Sequence, residues 1–156
     1  MASWNEIESV APELTTLVRE RFDAHLHKTM ATLRKDGAPR ISGTEVLFAA
    51  GHVWVGSMGG AVKARDLQRD GRVALHSAPI DTEMKEADAK IAGVATEILD
   101  LDEVRRAYPE WDEPLGTAAH VFRIDVTELS AATVEGDKIV IRSWNERDGE
   151  RRRERK

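Results

Sequence analysis

Hydrophobic positions change period along the chain, and the changes divide it into elements. Ile7, Val10, Leu14, Leu17 and Val18 recur three or four apart, the spacing of one helix face. Ser3 and Glu6 in front of them make a capping-box pair. Pro12 predicts a kink or a division into two helices, ending near Asp23. From Lys28 the period falls to two. Strands are expected over Lys28–Leu33, Arg40–Phe48 and Val53–Met58, joined by turns at Arg34–Pro39 and Ala49–His52 as a three-stranded meander. Asp36-Gly37 supplies a left-handed position in the first turn.

Gly59-Gly60 then lead into a helix over Ala61–Arg69, closed by Gly71 as a C-cap. A fourth strand is expected over Arg72–Ala78 and a mobile acidic loop over Pro79–Asp88. A fifth strand follows over Ala89–Leu99, with Gly93 at a bend or close approach. Asp100 or Asp102 caps a short helix ending at Ala107, and Tyr108–Thr117 reads as loop. Ala118–Val126 is a sixth strand, and Leu129–Val134 with Lys138–Trp144 makes a terminal hairpin. The sum predicts an α+β, mainly antiparallel fold: a closed or split β-barrel with an N-terminal helix and two short inserted helices. Residues 1–145 are expected as one domain and 146–156 as a charged tail without structure.

Composition narrows the class. With 41% hydrophobic and 33% charged residues the chain reads as a globular domain. The absence of cysteine excludes disulfides and thiolate metal sites. A net charge of −5 argues against non-specific nucleic-acid binding, although the tail from Arg147 is locally basic. No basic and apolar leader and no apolar run of spanning length stand in the sequence, so the expectation is a cytoplasmic protein.

Candidate chemistry concentrates between Gly56 and Arg72. The expected helix start carries Lys63 and Arg65, with no acidic residue before Asp66, the wrong charge for a bare positive helix end. Cations, amide groups and Ser57 at one point make a seat for a phosphate. The plainer alternative pairs Lys63 with Asp66 and leaves Arg65 on a solvated face with Arg69 or Asp70. Arg40, Ser42 and Thr44 share one strand face, and the low bulk of Ser42-Gly43-Thr44 lets a flat ring approach the backbone. His25 and His27 sit two apart, on one face if the segment is a strand, but no other ligand pattern supports a metal. Ser57 has no visible base partner, so a hydrolase triad is not expected. Trp4, Trp54, Trp111 and Trp144 are expected as core or interface anchors.

Three segments in order, Ala31-Thr32-Leu33-Arg34-Lys35-Asp36-Gly37-Ala38-Pro39-Arg40, Trp54-Val55-Gly56-Ser57 and Lys63 to Val73, resemble the pyridoxamine 5′-phosphate oxidase-like family of flavin- and deazaflavin-binding split barrels. The similarity spans Lys28 to Val126. It implies a homodimer with the cofactor in a cleft between protomers. It implies phosphate contacts from Arg40 and Lys63, ring contacts along Ile41, Ser42, Gly43 and Thr44, and further contacts at Gly56 and Ser57, while Arg65 is a candidate from its place at the helix start. Val62 and Glu45 depart from the family pattern, which has Arg and Lys there, and the vitamin B6 subsite is not recognisable. The implied function is a flavin- or deazaflavin-dependent oxidoreductase using FMN, or alternatively coenzyme F-420, on a small organic substrate. The alternative is a non-catalytic carrier of a flavin, deazaflavin or haem-type ligand. No catalytic acid or base stands out, consistent with a cofactor that carries the chemistry.

Overall fold

The computed structural model describes residues 1–79 and 86–156, so the acidic loop expected at Pro79–Asp88 falls mostly outside the described residues. Ser3 caps α1 (Trp4–Val10), its hydroxyl accepting from the Glu6 amide while the Ser3 amide donates to the Glu6 carboxylate at 2.7 Å. The helix ends at Ala11, whose φ of −139° is not helical, and α2 (Pro12–Asp23) begins on proline, where no N–H is needed. This break rotates the apolar stripe. Ala11, Leu14, Val18 and Phe22 are buried, whereas Val10, expected on the same face, is 65% exposed.

The strands are β1 (Lys28–Leu33), β2 (Pro39–Thr44), β3 (Leu47–Ala49), β4 (His52–Met58), β5 (Arg72–His76), β6 (Asp88–Glu97), β7 (Ala119–Glu135), β8 (Lys138–Asn145) and β9 (Gly149–Arg155). Two short helices are inserted, α3 (Val62–Arg69) after β4 and α4 (Leu101–Ala107) after β6, the latter capped by the Asp100 side chain. All pairings are antiparallel, in the order β2-β1-β5-β6-β7-β4-β3, with β8 on β7 and β9 on β8. The result is an α+β split barrel, with the sheet coiled but not closed.

The β1–β2 hairpin forms as expected, with Gly37 at φ 84°. The single strand expected over Arg40–Phe48 does not. It divides at Glu45-Val46, which carry the chain from β2 at one edge of the sheet to β3 at the other, so no meander exists. A link of two residues reaches about 10 Å at most, so the coiled sheet must bring its edges close together. The strands expected at Ala118–Val126 and Leu129–Val134 are likewise one, β7, which pairs with β4 through Ile124 and with β8 from Glu128. That change of partner is the split in the barrel. Across the other edge, Ala92 opposes Glu128 and Gly93 opposes Val126, leaving Thr127 as a bulge. A Cβ on Gly93 would lie 2.4 Å from the Asp125 carbonyl oxygen.

Two further expectations change. Gly71 is not a left-handed cap: α3 ends at Asp70 with φ −145°, and a Cβ on Gly71 would meet the Ala95 carbonyl oxygen at 2.4 Å. The glycine is there for a close approach to β6. The charged residues after 145 are not structureless, because β9 pairs with β8 along Asn145–Ile139. Opposite charges face each other across that hairpin, Lys138 with Glu154 at 2.9 Å and Arg142 with Glu150 at 2.6 Å.

The main core packs α1 and α2 into the sheet, with Trp4 edge-on to Phe48 at 4.6 Å between ring centroids and Phe22 at 6.0 Å. A smaller core under α4 holds Trp54, Ile98, Val104 and Val121. Among the described residues no helix is long and apolar enough to cross a membrane.

One buried polar group ties α3 to the first hairpin. Asp66, with 3% of its side chain exposed, accepts from Arg40 Nε at 2.6 Å, Thr32 Oγ1 at 3.0 Å and Arg69 Nη2 at 3.0 Å. Arg69 also donates to the Leu33 carbonyl. Burial pushes the Asp66 carboxyl up, but the hydrogen bonds outweigh it and hold the group below the usual aspartate value.

Removing one partner of a buried ion pair costs about 3–5 kcal/mol, so Asp66→Asn should lose that much unfolding free energy at neutral pH in urea melts. The folded-state pKa is depressed, so this stabilisation is complete above the unfolded value of about 3.9 and fades as pH falls through the lower folded value. Wild type and variant should therefore converge in stability below about pH 4; a gap that persists in acid would show that the charge is not what Asp66 contributes. In the β3–β4 turn Ala50 has φ 49° and Gly51 φ 76°, the pair of left-handed positions that favours Asn-Gly. Ala50→Asn should raise stability by about 0.5–1 kcal/mol in the same melts, and a lower midpoint would contradict strain at that residue.

Candidate functional site

The chain reaches the site where β4 runs out. Gly59 packs so closely on the loop before β7 that a Cβ would meet the Thr117 carbonyl oxygen at 2.1 Å, and Gly60 takes φ 74°. These two glycines turn β4 into α3. The helix has no side-chain cap at Ala61 and no acidic residue in its first turn, so its first amides keep their unpaired hydrogen-bonding capacity. Lys63 does not pair with Asp66, whose carboxylate belongs to Arg40 and Arg69. Its Nζ reaches β2 and donates to the Gly43 carbonyl at 2.7 Å. Burial pushes the ammonium's pKa down, and the Glu45 carboxylate partly restores it.

Beside Lys63 opens a groove of about 680 Å³. The end of β2 contributes Gly43 and Thr44, and the crossing contributes Glu45 and Val46; Gly56, Ser57 and Met58 come from the end of β4, and Ala61 and Lys63 from the start of α3. A Cβ placed on Gly43 or on Gly56 would meet nothing within 4 Å, so glycine keeps space open at both. Ser57 Oγ is buried and has no hydrogen-bond partner. Tyr108, Trp111 and Glu113 come from the loop after α4, and Leu26 and His27 from the segment before β1. The Tyr108 and Trp111 rings meet edge to face at 5.5 Å. Burial, and then the Glu45 carboxylate, push the Tyr108 phenol up to about 12, so it stays protonated at neutral pH.

Five of the residues singled out from the sequence therefore share the groove: Gly43, Thr44, Gly56, Ser57 and Lys63. Four do not line it. Arg40 is turned inward onto Asp66. Ile41 points outward, 75% exposed, and lines a second groove of about 430 Å³ with Thr29, Ala31, Ala74, His76 and Ala92. Ser42 is half-buried and lines neither groove, and Arg65 is exposed with no ion pair among the described residues. His25 and His27 precede β1 rather than sharing a strand face, and only His27 reaches the groove.

Other groups at the site were not singled out as binding residues. Tyr108 and Trp111 sit in a segment that reads only as loop and core anchor. His120 lies across the ladder from Ser57, with Nδ1 2.6 Å from Glu97 Oε1, and Gln68 Nε2 donates to Glu97 Oε2 at 2.9 Å. No local spacing links residues 57, 68, 97 and 120; strand register pairs Ser57 with His120, and α3 brings Gln68 to Glu97. Chemically, a cation, an unpartnered hydroxyl and free helix amides suit an anionic group such as a phosphate. The aromatic pair suits a flat apolar one.

Comparison with known proteins bears on the fold and the family. No curated protein matches the sequence. Among solved structures, a haem binding protein from Mycobacterium smegmatis superposes with a TM-score of 0.68 at 19% identity, over 87% of this chain and 59% of that one. A pyridoxamine 5′-phosphate oxidase-related, FMN binding protein from Nostoc punctiforme gives 0.63 at 12% identity, over 100% and 98% of the two chains. PhzG from Burkholderia lata, in complex with tetrahydrophenazine-1-carboxylic acid, gives 0.65 at 12% identity, over 98% and 93%. At these identities the likeness is one of fold. The sequence itself matches the family model described as pyridoxamine 5′-phosphate oxidase over residues 14–134, from α2 into β7 and well over half of the chain. The protein belongs to the pyridoxamine 5′-phosphate oxidase family.

Proposed function

We propose that the groove binds a flavin and that the protein is an oxidoreductase transferring hydride or electrons between that flavin and a small organic substrate. The observation that carries this reading is Lys63 held at the Gly43 carbonyl beside the unpartnered, buried Ser57 hydroxyl, in a chain of this family. Lys63, Ser57 and the first amides of α3 would hold the phosphate. Gly43 and Gly56, whose missing side chains leave open space, would admit the ring system, with Tyr108 and Trp111 beside it. The flavin supplies the redox chemistry, and the protein supplies binding, orientation and exclusion of water.

FMN fits better than coenzyme F-420. The long acidic tail of the deazaflavin calls for a broad basic channel. Arg69 is taken by Asp66 and Leu33, Arg65 stands off the groove, and Glu45 and Glu113 lie along it. A second reading, non-catalytic binding of a haem-type ligand, is favoured by His27 in the groove, since an imidazole can ligate haem iron. The outer face around Ile41 is apolar and exposed, which supports its burial against a second copy of the chain in a homodimer.

Titration of the purified protein with FMN, followed by flavin absorbance and fluorescence, should give saturable binding. Lys63→Ala should weaken it by about 1–3 kcal/mol, the worth of a charge-assisted hydrogen bond. An unchanged affinity would place the phosphate elsewhere, and saturable haem binding with no FMN binding would favour the second reading. Sedimentation should show a dimer, and Ile41→Glu should shift it toward monomer; a wild-type monomer would sink the proposed interface.

A further inference from the structure

The groove has a second wall, away from Lys63 and the start of α3. Tyr108, Trp111 and Glu113 form it, and the same three residues line a neighbouring recess of about 380 Å³ with Glu110 and Asp112. The aromatic pair therefore borders both cavities. Its loop is held in place. The Trp111 amide donates to the Tyr108 carbonyl at 3.0 Å, and Arg105 Nε donates to the Trp111 carbonyl at 3.2 Å. Trp111 Nε1 donates to the Glu113 carbonyl at 2.9 Å, and the Tyr108 ring packs edge-on to the buried Trp54 at 6.4 Å. With its N–H spent inside the loop, the Trp111 side chain can offer a ligand only the π surface of its ring.

Carboxylates stand around these rings. Glu45, Glu110, Asp112 and Glu113 line the two cavities, and among the described residues none of the four has an ion-pair partner. Glu45 acts electrostatically on the Tyr108 phenol of one wall and on the Lys63 ammonium of the other. It also acts on Lys28, which donates to the Leu26 carbonyl and does not line the groove. Lys63 is the one ammonium or guanidinium among the residues lining the groove, and it is bonded to Gly43; the residues lining the recess include none.

Such a wall is wrong for a second anion, which both the carboxylates and the negative ring faces would repel. A cation on an apolar body suits it twice over. The ring faces attract the charge, and the carboxylates answer it. We infer that this wall recognises an organic cation, an ammonium group carried on an apolar body, with Tyr108 and Trp111 against it and Glu45 and Glu113 as its counter-charges. As the substrate class for the proposed flavin, the cation rests on that reading; as a bound ligand it does not. The groove then seats a phosphate at one wall and a positive charge at the other. No bond forms or breaks in this recognition.

The test uses benzyltrimethylammonium, benzyl alcohol and benzoate, which share one ring and differ in charge. Binding is followed by NMR at the Trp111 indole N–H, with and without saturating FMN. The signal is assigned by its loss in Trp111→Leu or, should that variant not fold, through its contact with the Tyr108 ring. The cation should bind at least about tenfold more tightly than the alcohol, and benzoate should leave the signal unmoved. Glu45 and Glu113 are exposed, so the double variant Glu45→Gln, Glu113→Gln changes charge at little cost in packing. It should bind the cation several-fold more weakly and the alcohol as before. Equal affinity for cation and alcohol, a preference for benzoate, or a preference for the cation that survives in the double variant overturns the cation site. FMN binding without that preference leaves the flavin reading standing alone. The preference without FMN binding keeps the cation site and overturns the flavin reading. If saturating FMN abolishes cation binding, the cation is not a substrate that enters beside the flavin.

Discussion

A carboxylate that is almost wholly removed from water must have its charge answered, and Asp66 is such a group. Three donors converge on it from β1, β2 and its own helix, and the effect is to fasten α3 across the first hairpin. Lys63 lies one turn earlier on the same helix. Once Asp66 is fixed, that turn lies against the end of β2, and the lysine ammonium meets the Gly43 carbonyl. The same constraint sorts the cations. Arg40 and Arg69 are consumed by the buried charge, whereas Lys63 is left at the groove, bonded to a neutral carbonyl and near the Glu45 carboxylate. A structural ion pair and a cation free to line the groove thus come from one short stretch of sequence, separated by which of them the buried carboxylate requires.

This explains why the sequence was legible in some places and misleading in others. Features set by neighbours in the chain were readable: the Ser3–Glu6 cap, the break at Pro12, the left-handed Gly37, and the Gly59-Gly60 turn. So was the placing of Lys63 and Ser57 at one groove, because both flank that turn. What depended on distant pairing was not readable. The ion pair of Arg40 was hidden because the carboxylate it bonds lies 26 residues away. Gly71 looked like a cap because the Ala95 carbonyl that excludes its side chain belongs to another strand. The strand over Arg40–Phe48 looked continuous because alternation carries no information about which edge of a sheet a residue joins. The charged tail looked disordered because its partners on β8 are visible only once the hairpin is drawn.

β7 is where these distant relations meet. It pairs with β6 along one edge and divides the other between β4 and β8, and the Thr127 bulge lets it bend between its two partners. Its first residues therefore lie beside the end of β4, next to the groove, and bring His120 opposite Ser57. The buried histidine follows from the way the barrel splits rather than from any motif. A fold that had closed β4 onto another strand would have left Ser57 without that neighbour.

The charges of the groove set what a bound anion would meet there. The groove carries one ammonium, Lys63, and two carboxylates, Glu45 and Glu113, so its own lining is net negative. Glu45 acts on both Lys63 and Tyr108, steadying the ammonium and adding to the burial that raises the phenol's pKa. A phosphate ester carries about one and a half to two negative charges at neutral pH, more than Lys63 alone can answer. Under the flavin reading the remainder would fall to fixed dipoles, and the first amides of α3 are the ones at hand. Such dipoles add no permanent positive charge that would have to be stabilised when no anion is bound. On that reading, a site balanced this way would keep its acidic residues for contacts beyond the phosphate while still seating a doubly charged group.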